Sequence, residues 1–443
     1  MKPDHTVTAF EHIAPPNKVG RTVYLHVAIP TEKENLRLTI SLVRRLRRIA
    51  RQSVDWAAWW WNQTFLFKGY NYTDTAYSNR GDIAIKLAIK ELLRKSLTGH
   101  TVTFVETEWG CLDAVTLERI NSQAALFVIA GGGYWVFDRS QKMSPSFLLD
   151  APYFGQMHCP IVVFGSGVNF NLPTVDAVLD GDIDRELKDA LLRFDQQVQL
   201  FAVRCKSSRD FFYGLGLRKP QLLCDPAVFK EIGVVPVRAK SHRLAIGVNF
   251  ALHGKFVEHQ FKKNVATYIQ FLKIIQQKFQ PNLTYFIHSD EEVLVVRLLR
   301  SAGIVLQVVD VPANQLTAEY SQMDVVVCQM MHANILSFNA GVPALNIAYD
   351  SKNSGFNQLI GMQAYCISAY TVTLNQLVAK MADLIQDRSV LASRLASRKK
   401  ELEIRMDEVL GQIRQIALPE PDEPAQVAEL ARVAQPRNAQ QVG

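Results

Sequence analysis

The stretch Asp324–Met362, DVVVCQMMHANILSFNAGVPALNIAYDSKNSGFNQLIGM, decides the fold. An apolar, β-rich run, Asp324–Cys328, leads into His332. A helical segment with small residues follows and stops at Gly341, and Val342-Pro343 restarts the chain as a second apolar run, Ala344–Ala348. Tyr349, Asp350 and Lys352 come straight after it. Run, helix, run reads as a βαβ unit, and in a parallel α/β domain the residues just past the strand ends face the ligand crevice. His332, at a strand-to-helix turn, and Lys352, past the next strand, therefore fall on one rim. A proton donor beside a fixed cation suits an anionic substrate whose reaction needs a proton.

The same alternation continues on both sides of this unit. Apolar runs at Leu244–Asn249, Leu283–His288 and Val305–Val309 precede it, separated by helical stretches Phe261–Phe279 and Glu291–Ala302. Two helices, near Leu374–Gln386 and Ser389–Leu410, follow it. The first half alternates too, from strand Val23–Ile29 and helix Ile83–Lys95 through strands Thr101–Val105, Ala125–Ala130, Ile161–Phe164, Gln199–Val203 and Gln221–Cys224. Alternation on this scale means parallel sheets. Phe229–Arg243, with Gly233, Pro236 and several charges, reads as a linker. The expectation is an α/β protein of two Rossmann-like domains, residues 1–235 and 236–417, with the active site in the cleft between them. Pro419, Pro421, Pro424 and Pro436 mark residues 418–443 as a disordered tail.

Length and composition agree with this. At 443 residues the chain exceeds the usual size of a single core, and 48% hydrophobic residues are enough to fill two. An excess of 49 Lys+Arg over 42 Asp+Glu favours acidic ligands or an anionic surface. No zinc-finger or aromatic-rich RNA-binding pattern accompanies it, so nucleic acid is not an expected partner. The six cysteines, Cys111, Cys159, Cys205, Cys224, Cys328 and Cys366, form no CxxC pair and read as reduced thiols, not a metal site or disulfide frame. MKPDHTVTAFEHIAPPNK lacks the apolar centre of a signal peptide, and no apolar run approaches transmembrane length, so a cytoplasmic location is expected. Leu36–Arg51 sets six arginines against an apolar face, and Trp56, Trp59, Trp60 and Trp61 follow. That composition suits a peripheral contact with the inner face of a membrane, although an ordinary packed surface helix is the first expectation for such a segment, and a homo-oligomer interface would also hide the arginines.

Glycine turns mark three further places: Asn79-Arg80-Gly81-Asp82, Gly131-Gly132-Gly133 and Gly165-Ser166-Gly167-Val168-Asn169. None fits GxGxxG opening a βαβ unit or the phosphate loop GxxxxGK[ST], which argues against dinucleotide binding and P-loop chemistry. Gly81, Asp82, Gly132, Gly133 and Ser166 are candidate substrate contacts through backbone that can approach a ligand closely. Asp82 reads equally as the N-cap of the next helix. Arg204 ends a strand in AVRCKSSRDFF, where its forked donors could hold a phosphate or carboxylate. His288, in FIHSDEE, is either an auxiliary contact or a structural strand-end histidine.

Taken in order, NRGDIAIKLAIKELL (Asn79–Leu93), FVIAGGGYW (Phe127–Trp135), VVFGSGV (Val162–Val168), FAVRCKSSRDFF (Phe201–Phe212), CDPAVF (Cys224–Phe229) and HANILSFNAGVPALNIAYDSKNSGF (His332–Phe356) resemble the polysaccharide pyruvyl transferase family. The resemblance runs from Asn79 to Gly361. It implies a glycosyltransferase-B-like fold and an enzyme that transfers pyruvate from phosphoenolpyruvate (PEP) to sugar hydroxyls of surface polysaccharides, commonly as a cyclic ketal. PEP would be a co-substrate, with no cofactor and no metal. The family's PEP-binding arginine matches Arg204, its histidine His332 and its lysine Lys352. Cys205 stands where the family usually has an acidic residue, and Met330 where it usually has an arginine.

The resemblance makes His332 the catalytic acid and Arg204 and Lys352 the cations on the donor. The acceptor would be a sugar, free or carried on a lipid or nucleotide. Two other readings fit the same plan: a glycosyltransferase using nucleotide-sugars, and a non-catalytic binding protein of envelope assembly.

Overall fold

The computed structural model describes residues 20–32, 79–137, 142–170, 183–234, 243–252 and 255–419. The basic stretch Leu36–Trp61 and residues 420–443 of the expected tail lie outside them. Chain order begins β1 (Gly20–Val27), α1 (Arg80–Ser96), β2 (Thr101–Glu108), α2 (Ala114–Gln123), β3 (Ala124–Ala130) and β4 (Trp135–Phe137). It continues α3 (Ser146–Phe154), β5 (Ile161–Ser166), β6 (Val168–Phe170), α4 (Arg185–Gln197), β7 (Leu200–Val203), α5 (Lys206–Gly214) and β8 (Pro220–Leu222), then a 3-10 turn at Pro226–Phe229. The second half starts β9 (Ala245–Asn249), α6 (Lys255–Phe279), β10 (Asn282–Phe286), α7 (Val293–Ser301), β11 (Gln307–Val309) and α8 (Ala313–Tyr320). It ends β12 (Val325–Cys328), α9 (Met331–Asn339), β13 (Ala344–Ala348), α10 (Ser351–Leu359), β14 (Cys366–Ser368) and α11 (Leu374–Ala417).

These strands make two parallel sheets, ordered β2-β1-β3-β5-β7-β8 and β11-β10-β9-β12-β13-β14, and a small pair β4-β6. The strand order reverses between β1 and β3 in the first sheet and between β9 and β12 in the second. Such switch points open the crevices in which doubly wound sheets hold ligands. The fold is therefore α/β with two Rossmann-like halves, glycosyltransferase-B-like in layout. Every residue of β7, β12 and β13 is buried, which is why these strands read as near-continuous apolar runs, interrupted in β13 by Asn346, and not as alternating ones.

One apolar core runs from Leu25 of β1 and Ile85 and Ile89 of α1, through Val326 and Leu345, to Leu395 and Leu402 of α11. An aromatic core of Phe127, Trp135, Phe194, Phe201 and Phe212 covers the other face of the first sheet. The halves are pinned at both ends of α1. At its start, the Arg80 N–H donates to the His288 carbonyl at 2.9 Å. The Arg80 guanidinium also donates to the Ile287 carbonyl at 2.6 Å and pairs with Asp310. At its end, Arg414 of α11 donates to the Ser96 carbonyl at 2.7 Å.

Two expectations about helices need correction. The closing segment is one helix of 44 residues, not two. Asp387 and Arg388 carry no proline or glycine to break it, and Leu384, Leu391, Leu395, Leu402, Met406 and Ile413 keep a buried stripe at helical spacing throughout. And α1 starts at Arg80, so Asn79-Arg80-Gly81-Asp82 is a cap and first turn, not a glycine turn.

Candidate active site

The second half builds its rim from two helix N-termini. Past β12, the Gln329 N–H donates to the Asn249 carbonyl at 2.9 Å and the Met330 N–H to Asn249 Oδ1 at 3.2 Å. These bonds tie the turn to the neighbouring strand β9, and Met330 starts α9 without a side-chain cap. His332 follows in the first turn of that helix. Past β13, Asp350 caps α10 by accepting the Asn353 N–H at 3.1 Å. The second carboxylate oxygen of Asp350 lies 3.0 Å from Lys352 Nζ. Burial works against the Lys352 ammonium, but the Asp350 carboxylate and then the Tyr349 hydroxyl outweigh it, so the lysine pKa is raised. Burial also pushes the Tyr349 phenol up to about 12, against the pull of Lys352.

Beneath this rim lies a set of buried amides. Asn346 Nδ2 donates to the Cys328 carbonyl at 3.1 Å, and Asn346 Oδ1 accepts from Asn357 Nδ2 at 3.1 Å. Asn353 Nδ2 donates to the Gln329 carbonyl at 3.0 Å. The ends of β12 and β13 are thereby linked through side chains, which holds the His332 and Lys352 turns in a fixed relation.

The first half builds its rim from backbone and one buried ion pair. The Arg204 N–H donates to the Ser166 carbonyl at 3.0 Å. Its guanidinium, only 2% exposed, donates to Asp225 Oδ2 at 3.3 Å and to Asn169 Oδ1 at 2.8 Å. Burial raises the Asp225 pKa against the pull of Arg204. Gly132 takes φ +66°, a left-handed backbone that favours glycine, and presses on the Trp109 ring. The backbone of Gly133 lies flush against the Asn169 amide. Ser166 is fully buried, with its hydroxyl 3.4 Å from the Gly132 carbonyl, so it supports this turn from behind.

The rims meet at α1. Asn79 caps the helix by accepting the Gly81 N–H at 3.1 Å, and Asn79 Nδ2 donates to Asp82 Oδ2 at 2.7 Å. A Cβ on Gly81 would overlap the His332 imidazole, so the absence of a side chain there is what admits the ring. Asp82 Oδ1 lies 3.8 Å from His332 Nε2, and its charge also bears on Asp225. On the other side, Gly355 of α10 packs against Cys205 and Ser207, and Lys352 and Arg204 act on one another electrostatically. Arg204, His332 and Lys352 thus gather where the strand ends of the two sheets face each other.

A model of the polysaccharide pyruvyl transferase family matches residues 64–351, most of the chain. The chain belongs to this family. The matched span includes Arg204 and His332 and ends one residue before Lys352. No match is found among curated protein sequences. Among solved structures, the chain is similar to a putative UDP-N-acetylglucosamine 2-epimerase from Listeria monocytogenes at 11% identity and a TM-score of 0.49, covering 76% of this chain and 94% of that one. The UDP-GlcNAc 2-epimerase of Methanocaldococcus jannaschii gives 8% identity, a TM-score of 0.44 and coverage of 68% and 89%. The pneumococcal O-GlcNAc transferase GtfA gives 12%, 0.41, and 68% and 59%.

Within this family member His288 stands apart from the other candidates. It is fully buried, its Nε2 is 2.8 Å from the Tyr320 hydroxyl, and its backbone N–H donates to Glu292 at 2.8 Å. Burial, reinforced by the Arg80 charge, pushes its pKa down to about 3. The N-terminus of α1 sits on its carbonyl, so of the two readings open from sequence, auxiliary contact and structural histidine, the structural one fits these contacts. Asp82 is likewise not the N-cap; Asn79 is. Asn79, Asn169, Asp225 and Asp350 have no site role in the sequence reading, although CDPAVF holds a signal: Asp before Pro caps the 3-10 turn at Pro226–Phe229. Among the described residues no three of His, Cys, Asp or Glu are grouped to hold a metal ion, and no helix is long and apolar enough to cross a membrane.

Proposed function

We propose that this protein transfers pyruvate from PEP to a sugar hydroxyl of a surface polysaccharide or its lipid-linked precursor, forming a ketal. The observation that carries this reading is the placement of His332 in the first turn of α9, with the Lys352 ammonium on the same rim and Arg204 opposite. PEP brings a phosphate, a carboxylate and an electron-rich methylene carbon, and these groups answer to that set.

His332, as imidazolium, gives its proton to the methylene carbon, which becomes a methyl group. The adjacent carbon turns electrophilic, and a sugar hydroxyl bonds to it and returns a proton to His332. Phosphate leaves with the electron pair of its C–O bond, a second hydroxyl of the same sugar takes its place, and that hydroxyl's proton departs with the phosphate. One PEP and one diol thus give one ketal and one inorganic phosphate. Lys352, kept charged by Asp350, offsets donor charge, and Arg204 orders the first-half rim through Asn169.

The test is release of phosphate from PEP in the presence of polyprenyl-linked and nucleotide-linked sugars, with mass analysis of the acceptor. A pyruvate adduct on the sugar with matching phosphate supports the reading. No release with any acceptor, alongside binding of nucleotide-sugars, would return the protein to the glycosyltransferase reading.

A further inference from the structure

We propose that Asp82, carried by the first half, is the positioning partner of His332, carried by the second, so that the proton donor is complete only where the two halves meet. The inference rests on the pyruvyl-transfer reading above. One oxygen of Asp82 lies 3.8 Å from His332 Nε2. The other is held at 2.7 Å by Asn79, which is 7% exposed and is itself fixed as the cap of α1. On its Nδ1 side the imidazole is wedged against the bare backbone of Gly81. A single turn of α1 therefore contacts the ring from two directions.

That turn does not float with the first half. Arg80, between the cap and Gly81, fastens it to the ends of β10 and β11 through the Ile287 and His288 carbonyls and Asp310. The distance between carboxylate and imidazole is consequently set by contacts across the two halves, not by the flexibility of either side chain.

A carboxylate this close favours the imidazolium over the neutral ring and limits which edge the ring presents to substrate. Asp82 need not change its own protonation state. His332 gives one proton to the methylene carbon and recovers one from the sugar hydroxyl, while Asp82 stabilises the charged ring before and after. The residue acts through His332 and is not itself a catalytic residue.

Asp82→Asn keeps the shape and removes the charge. Its kcat for phosphate release from PEP should fall about tenfold or more, one decade for each unit by which the imidazolium is destabilised. KM for PEP should change less than kcat, and Asp82→Glu should recover part of the loss. A second measurement uses no substrate: ring 15N resonances of His332, assigned by their disappearance in His332→Ala, should move toward the neutral form in Asp82→Asn at one fixed neutral pH. If Asp82→Asn does not fold, Asp82→Glu takes its place in both measurements, with a smaller change expected in the same direction. An unchanged ring spectrum, or a kcat indistinguishable from the parent, overturns the proposal. Because the spectra need neither PEP nor acceptor, failure of PEP as donor remains distinguishable from failure of this partnership.

Discussion

The two halves share a sheet plan but present different surfaces to the cleft. The second half offers side chains on helix N-termini, His332 on α9 and Lys352 on α10, held in relation by the buried amides Asn346, Asn353 and Asn357. The first half offers backbone: Gly81, Gly132 and Gly133, each pressed against a side chain that a Cβ would displace, with Arg204 withdrawn behind Asn169 and Asp225. One half supplies the transferable proton and the Lys352 charge. The other supplies close-packed main chain, the Asp82 carboxylate beside His332 and the buried Arg204. Two similar folds thus divide the work by what each leaves out as much as by what each presents.

Four substitutions put that contrast to the test. The largest effect is expected from His332→Ala, which removes the transferable proton and should lower turnover about 10²–10⁴-fold with melting temperature and PEP binding little changed. Phosphate release near the parent rate would remove the second half's claim to the chemistry. Gly81→Ala tests the first half in return. The new methyl group must push the imidazole aside, and a displacement of about 1 Å can cost about 10²-fold in rate. Its kcat should fall while PEP binding holds, and full activity would show that the close packing is dispensable.

Asp350→Asn probes the electrostatics of Lys352. The lysine's folded pKa is raised, so its ammonium, and the stability it contributes, is fully present below the unfolded lysine value of about 10.4 and is lost as pH rises through the folded pKa. Removing Asp350 deletes the main upward influence and leaves burial to dominate. KM for PEP should then rise at a lower pH than in the parent. An identical alkaline profile would show that Asp350 does not hold the charge. The smallest effect belongs to Arg414→Ala, which removes bonds to the Ser96 and Thr98 carbonyls at an exposed site. Thermal unfolding should register a loss of about 1 kcal/mol or less, with kcat unchanged.

Much of this architecture could be read in advance where burial on both faces imposes apolar runs. Val325–Cys328 and Ala344–Ala348 read as strands because both faces are buried and all but Asn346 are apolar. The positions of Arg204, His332 and Lys352 follow from the same logic, since Arg204 directly follows its run and the other two lie in the first turn of the helix after theirs. His288 satisfies that logic equally well and is nonetheless structural. What separates it from His332 is the docking of α1 on its carbonyl, a contact between residues 208 positions apart. The start of α1 was obscured by Gly81, which resembles a turn residue but serves close approach. The amide set was invisible because Asn346, Asn353 and Asn357 mean nothing individually until β12, β13 and α10 are folded together. Leu36–Trp61, prominent in the sequence, lies outside the described residues.

The 44 residues of α11 would span about 66 Å as a straight helix, and they leave the second half to end against the last turn of α1. Through Arg80 at one end and Arg414 at the other, α1 is gripped twice by a half to which it does not belong in sequence. Separating the halves would therefore mean breaking both grips, together with the bonds from the Asn339 amide of α9 to the Ala227 and Lys230 carbonyls of the first half.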